Sequence, residues 1–197
     1  MQRACIGFRV HSGWAVVVTV AGSMASPSVV DRRRMQLVDR FIYKFRQPYH
    51  TAEQMPLKEA AEFIKRVETE ARDLARSGID ALQRQLTRVD HDVAGCGLLL
   101  SSGRELTVLA QILASHALIH TADGELFRNA IRDACTRCNL LISGIKEKDL
   151  FDVAARPLRL EPAALKHRIT ELGKPVGPPW SQDQKLAALA AWPSLLD

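Results

Sequence analysis

His116 and His120 are four residues apart, a spacing that stacks two imidazoles on one face of a helix. With a carboxylate such as Glu125 nearby, two rings so placed suit zinc or another transition metal. Leu109, Leu113 and Ala117 fall on the same stripe, so the pair also fits a helix packed on a sheet, with one hydrogen bond per ring. The pattern favours a polar, ligand-lined role for His116 and His120 without a resident metal. A divalent cation enters only if the site is hydrolytic. A second candidate is Arg9-Val10-His11-Ser12-Gly13-Trp14. A turn with free backbone amides, a hydroxyl and two basic side chains can cradle an anion through Arg9, His11 and Ser12. The plain alternative is a β-turn whose Trp14 packs on the sheet.

The third candidate is the segment from Asp31 to Arg46, with six basic residues against Asp31 and Asp39. On a strand, Arg32 and Arg34 share one face and Arg33 takes the other. Arg40 and Lys44 follow, with Phe41, Tyr43, Phe45 and Tyr49 interleaved. Cations that meet phosphates and rings that stack on bases have that composition, and Arg32, Arg34, Arg40 and Lys44 are its candidate phosphate contacts. An edge strand guarded by charge explains the arginines equally well. Cys135-Thr136-Arg137-Cys138 closes a helix and lacks two further ligands at zinc spacing, so it reads as packed small residues.

These groups need elements to hold them. Ala4–Val10 and Trp14–Val20 read as a hairpin about the turn at His11–Gly13, and Ser28–Val38 as a third strand. Ala15–Val18 is a run of four apolar residues, the mark of a strand covered on both faces. A loop is expected from Pro48 to Pro56. Apolar residues at Ala60, Ala61, Ile64, Val67, Ala71 and Leu74, resuming at Ile79, Leu82, Leu86 and Val89, predict a helix over 57–89. Unbroken it would span about 50 Å, so a break is expected at Ser77-Gly78. Val93–Leu100 is a fourth strand. Helices are expected from Glu105 to His120 and from Asp123 to Cys138, then a last strand over Leu140–Ile145. A mostly helical stretch over 147–172 and a stiff loop over 173–180 precede a final helix, which Ser181 and Gln184 open as a capping box. A three-strand meander followed by alternating helices and strands predicts an α/β domain over 1–197, a mixed five-stranded sheet with helices on both faces.

The chain has 197 residues, 47% hydrophobic and 25% charged, which excludes a disordered chain and suits one domain. No run of about 18 apolar residues is present, so no membrane partner is expected, and the opening residues lack a secretory pattern. A cytoplasmic protein with reduced cysteines follows as the expectation. The net charge of +5 is compatible with an anionic partner.

In arrangement the sequence resembles the RNase H-like superfamily, and within it RuvC-type Holliday-junction resolvases. The resemblance is carried by the first hairpin, Ile6 to Val16, by the strand Ala94–Leu100 with the segment Leu109–Ser115 behind it, and by the alanine-rich ending Ser181–Ala190. It covers most of the chain and rests on no invariant motif. It implies a bacterial protein with an RNase H-like fold that meets structured DNA or RNA. Such nucleases carry an aspartate on strand one, a glutamate ending strand four and aspartates opening the last helix, which hold two divalent ions. Here strand one offers Gly7, Phe8 and Arg9, and strand four ends in Leu100, Ser101 and Ser102 with Glu105 displaced. Only Asp183 stands at an expected place. The resemblance therefore implies a lost or rebuilt nuclease centre, with no cofactor, whose cleft binds nucleic acid or another anionic ligand. The alternatives are a metal-dependent hydrolase built on His116, His120, Glu125 and Asp183, with Glu105 a further candidate acid, and a non-catalytic assembly partner.

Overall fold

Strands β1 (Gln2–His11) and β2 (Trp14–Gly22) form the expected hairpin, and Gly13 takes the positive φ of +80° that the tight turn demands. The computed structural model describes residues 1–103 and 106–195. β3 (Pro27–Gln36) pairs antiparallel with β2, while β4 (His91–Leu100) and β5 (Ile142–Lys146) add in parallel beyond β1. The five strands lie in the order β3-β2-β1-β4-β5, so the meander builds one half of a mixed sheet and the crossovers build the other. β2, from Ala15 to Ala21, is fully buried between two strands and two helical layers, as its unbroken apolar run requires.

Seven helices are described: α1 (Pro48–Ala52), α2 (Leu57–Arg88), α3 (Leu109–Leu113), α4 (His116–Arg137), α5 (Leu150–Leu158), α6 (Pro162–Leu172) and α7 (Gln182–Ala191). The strands' two-residue alternation sorts the core. Ile6, Phe8, Val17 and Leu98 face α2 and α4, whereas Cys5, Val16, Val18 and Leu99 face α5, α6 and α7. Each large apolar side chain so enclosed contributes about 1.5–3 kcal/mol. No described helix is long and apolar enough to cross a membrane.

Three expectations about elements are corrected. α2 is one helix of 32 residues and does not break at Ser77-Gly78. Its stripe runs through Ala71, Ala75, Ile79 and Leu82, all fully buried, and that burial outweighs the local cost of a glycine. A Cβ at Gly78 would come within 3.0–3.2 Å of the Met35 side chain, so the glycine lets β3 approach the helix. The segment from Pro48 is not all loop, since Pro48 opens α1 from its first position, where a missing N–H costs nothing. The helices expected to divide near Thr121–Gly124 divide earlier. α3 ends at Leu113, and α4 starts at His116 and runs unbroken through Gly124.

On the other face, α7 lies directly on the sheet. Its residues Leu186 to Ala191 are all buried, and it starts from a complete capping box, with Ser181 Oγ accepting from the Gln184 amide. A helix of small side chains can seat its backbone against strand glycines, and Gly7 and Gly97 lie under it. That close seating brings the first turn of α7 to the outer end of β1.

Candidate functional site: an acid–arginine centre, a cationic aromatic ridge and a histidine cluster

Arg9, near the end of β1, meets two carboxylates from elements far apart in the chain. Its Nε donates to Glu147 Oε2 at 3.2 Å and its Nη2 to Glu147 Oε1 at 3.0 Å, a two-pronged pairing that the planar guanidinium favours. Its Nη1 donates to Asp183 in the first turn of α7, and His11 Nε2 lies 2.9 Å from the other Asp183 oxygen. Partial burial alone would lower the Arg9 pKa. The hydrogen bond and charge of Glu147, with Asp183 behind them, outweigh that and raise it above its ordinary value, so Arg9 stays charged. One guanidinium thus compensates two acids.

Arg9→Gln would leave Glu147 and Asp183 without that cation. We expect a loss of about 1–2 kcal/mol in a denaturant midpoint, discounted because Glu147 is 44% exposed. Millimolar Mg²⁺ should restore part of the loss in the variant and change the parent little. An unchanged midpoint would mean that the ion pairs contribute nothing.

A cationic, aromatic ridge continues from this centre. The His11 ring stacks on Trp14 with centroids 4.2 Å apart, and the Arg34 guanidinium covers Trp14 at 3.8 Å. The turn packs tightly on the following segment. A Cβ on Gly13 would meet Val38 at 2.8 Å and Arg46 at 3.3 Å, and the Leu37 amide donates to the Gly13 carbonyl. On that segment Phe41 and Tyr43 are 80% and 76% exposed, with Arg40 over the first ring and Arg46 over the second. Lys44 lies 5.9 Å from the Phe63 ring. Arg34, Arg40, Lys44 and Arg46 have no carboxylate partner among the described residues. Arg32 differs from them. Its guanidinium donates to the carbonyls of Val176, Gly177, Pro178 and Pro179, and so holds the 173–180 loop. Arg33 points to the other face, where it pairs with Asp31 and Gln85.

His116 and His120 occupy the first two turns of α4, both exposed, with their Nε2 atoms 2.9 Å apart. The third group beside them is His50 of α1, whose ring centroid lies 4.5 Å from that of His120 and 5.4 Å from that of His116. Glu125 does not join them. It accepts from Arg128 Nε at 2.8 Å and from Ser101 Oγ at 3.2 Å, because its place on α4 turns it toward the end of β4. Asp123 is 4% exposed and accepts twice, from His50 Nδ1 at 2.5 Å and from the Tyr49 amide at 2.7 Å. Burial pushes its carboxyl above the usual range, against the opposing pull of those two hydrogen bonds.

Arg9, His11 and Asp183 therefore come together, and Ser12 lies in the same turn. Glu105 lies outside the described residues. Cys135 and Cys96 of β4 are both buried, and the neighbouring Cys135 thiol together with burial raises the Cys96 thiol pKa. Glu147, His50 and Asp123 escaped the sequence reading. Only Pro48 at a helix start hinted that His50 sits on an ordered element.

The sheet order, the meander and the helices on both faces define an RNase H-like fold of the RuvC type. Among solved structures it is similar to Thermus thermophilus RuvC in complex with a Holliday junction substrate, with a TM-score of 0.52, 8% sequence identity, and 97% of this chain and 91% of that chain covered. It is also similar to a second Thermus thermophilus RuvC structure, with a TM-score of 0.50, 12% identity, and 96% and 92% covered. No protein-family model matches the sequence, and no curated protein matches it either.

Proposed function

We propose that this protein binds structured nucleic acid on the RNase H-like scaffold without cutting it by conventional two-metal chemistry. The observation that carries the reading is the row from Asp183 and Arg9 through His11 and Trp14 to Arg34, together with the exposed Phe41 and Tyr43 on the segment that packs against the same turn. Uncompensated guanidinium and ammonium groups attract phosphates, and exposed rings stack on splayed bases at about 1–3 kcal/mol each. The fold and the net charge of +5 support the same partner. Arg32 is already committed to carbonyls, so the contacts fall to Arg34, Arg40, Lys44 and Arg46.

The absence of cutting follows from Arg9. Two hard cations bound side by side need several free carboxylate oxygens, and here a fixed positive charge already engages both acids. In a test with labelled four-way junctions and RNA–DNA hybrids, the protein should retain both substrates in a gel-shift assay and leave them intact with Mg²⁺ or Mn²⁺. Metal-dependent cleavage that Asp183→Asn abolishes in a folded variant would replace this reading with the hydrolase one. Failure to bind either substrate at low salt would leave a non-catalytic assembly role.

A further inference from the structure

We propose that His50, His116 and His120 form a transition-metal site, oriented by the buried Asp123 and open at one coordination position. One nitrogen from each ring lies within 4.8 Å of the other two, and this is the only such group of three potential ligands among the described residues. Three nitrogens around a zinc ion at about 2.0–2.1 Å would sit roughly 3.3 Å from one another in a tetrahedral site. The His116 and His120 Nε2 atoms are 2.9 Å apart and the His50 nitrogen lies within 4.8 Å of both, so small side-chain adjustments would close the set on an ion. Three neutral imidazoles suit zinc, copper and nickel far better than the hard cations that carboxylates hold.

Asp123 argues that the cluster is built for a metal. His50 donates its Nδ1–H to Asp123 Oδ2, which sets the tautomer and leaves Nε2 as the nitrogen free to ligate. A carboxylate behind a ligating histidine is the usual outer partner of a zinc site, where it fixes the ring and raises its basicity. The carboxylate is itself locked, since its other oxygen takes the Tyr49 amide and the side chain is 5% exposed. His116, His120 and Asp123 stand at i, i+4 and i+7 on one face of α4, from the exposed end inward, so a single helix supplies two ligands and the support for the third. His116 and His120 are exposed, which leaves the fourth position on the solvent side for a water or a small anion. Structural zinc sites are closed by four protein ligands, whereas three histidines with an open position are the pattern of a site that handles a ligand. None of these residues belongs to the acid–arginine centre, so the site stands whether or not the protein binds nucleic acid.

The test uses the full chain produced without a histidine tag and stripped by a chelator. Titration with Zn²⁺ against a chromophoric competitor should give one equivalent bound per chain. Co²⁺ should give the intense visible bands of four- or five-coordinate geometry, and added azide should shift them. His116→Gln and His120→Gln should each weaken Zn²⁺ binding beyond the ~10–100-fold expected for Asp123→Asn. As both histidines are exposed, the metal-free melting temperature of those two variants should match the parent, and Zn²⁺ should raise it in the parent only. Binding of less than one equivalent, or equal affinity in parent and both histidine variants, would overturn the site and leave a hydrogen-bonded histidine cluster. Co²⁺ bands indifferent to azide would overturn the open position.

Discussion

Gly7→Ala should lower the thermal midpoint by about 6–12 °C or prevent folding. A Cβ at Gly7 would stand 1.8 Å from the Ala187 carbonyl oxygen, and one at Gly97 would stand 2.0 Å from that of Ala190. Neither obstacle is a flexible side-chain end; both are the backbone of α7, which must move as a body. Overpacking of this kind costs about 3 kcal/mol or more, and each kcal/mol shifts the midpoint of a chain this long by about 2–4 °C. Gly95 on the same strand as Gly97 makes the control, since its nearest neighbour would lie at an ordinary 3.7 Å. Gly95→Ala should melt within a few degrees of the parent. Because α7 carries Asp183 to Arg9 and His11, any folded Gly7 variant should also lose those ion pairs. Equal midpoints for Gly7→Ala and Gly95→Ala would mean that α7 does not rest on the strand backbone.

Removing Arg34, Arg40 and Lys44 together should weaken binding to a four-way junction by two orders of magnitude or more near 0.1 M salt. Each phosphate neutralised releases about 0.9 of a counterion, so three lost contacts flatten the plot of log affinity against log salt by about 2.7. The effect should be uniform across sequences, because backbone contacts position a protein and do not read bases. Phe41→Ala with Tyr43→Ala should behave differently. That variant should lose affinity for single-stranded and junction ends while keeping the parent's salt slope, since stacking carries no net charge. The lost arginines and lysine are exposed and have no carboxylate partner among the described residues, and an exposed cation–π contact contributes only about 0.5–1 kcal/mol, so the variant should still fold. Equal slopes for parent and triple variant would leave the edge-strand explanation alone.

The order and types of the elements were legible in the sequence because each rests on a local period. Alternation and β-branching marked the hairpin, the three-four spacing marked α2, and Ser181 with Gln184 marked the start of α7. The same local rules erred where a long-range contact outweighed them. Gly78 carries a helix that its own propensity would interrupt, because the continuous stripe on both sides of it is buried and Met35 needs the room.

For the site, the sequence by itself determined the ingredients: two histidines on one helical face, a basic segment threaded with aromatic rings, and an arginine on the first strand. Tertiary structure decided their partners. Arg9 took Glu147, which directly follows β5, and Asp183, in the first turn of α7, and only the assembled sheet and the docking of α7 bring the two to the end of β1. The histidine pair took His50 in place of Glu125, because α1 lies across α4 on the face where Asp123 is buried. Arg32 was withdrawn from the ridge by four carbonyls of a loop that follows it by more than a hundred residues. A period along one element says which way a side chain points. What it meets there depends on how separate elements are seated, and that is set by the packing of the whole core.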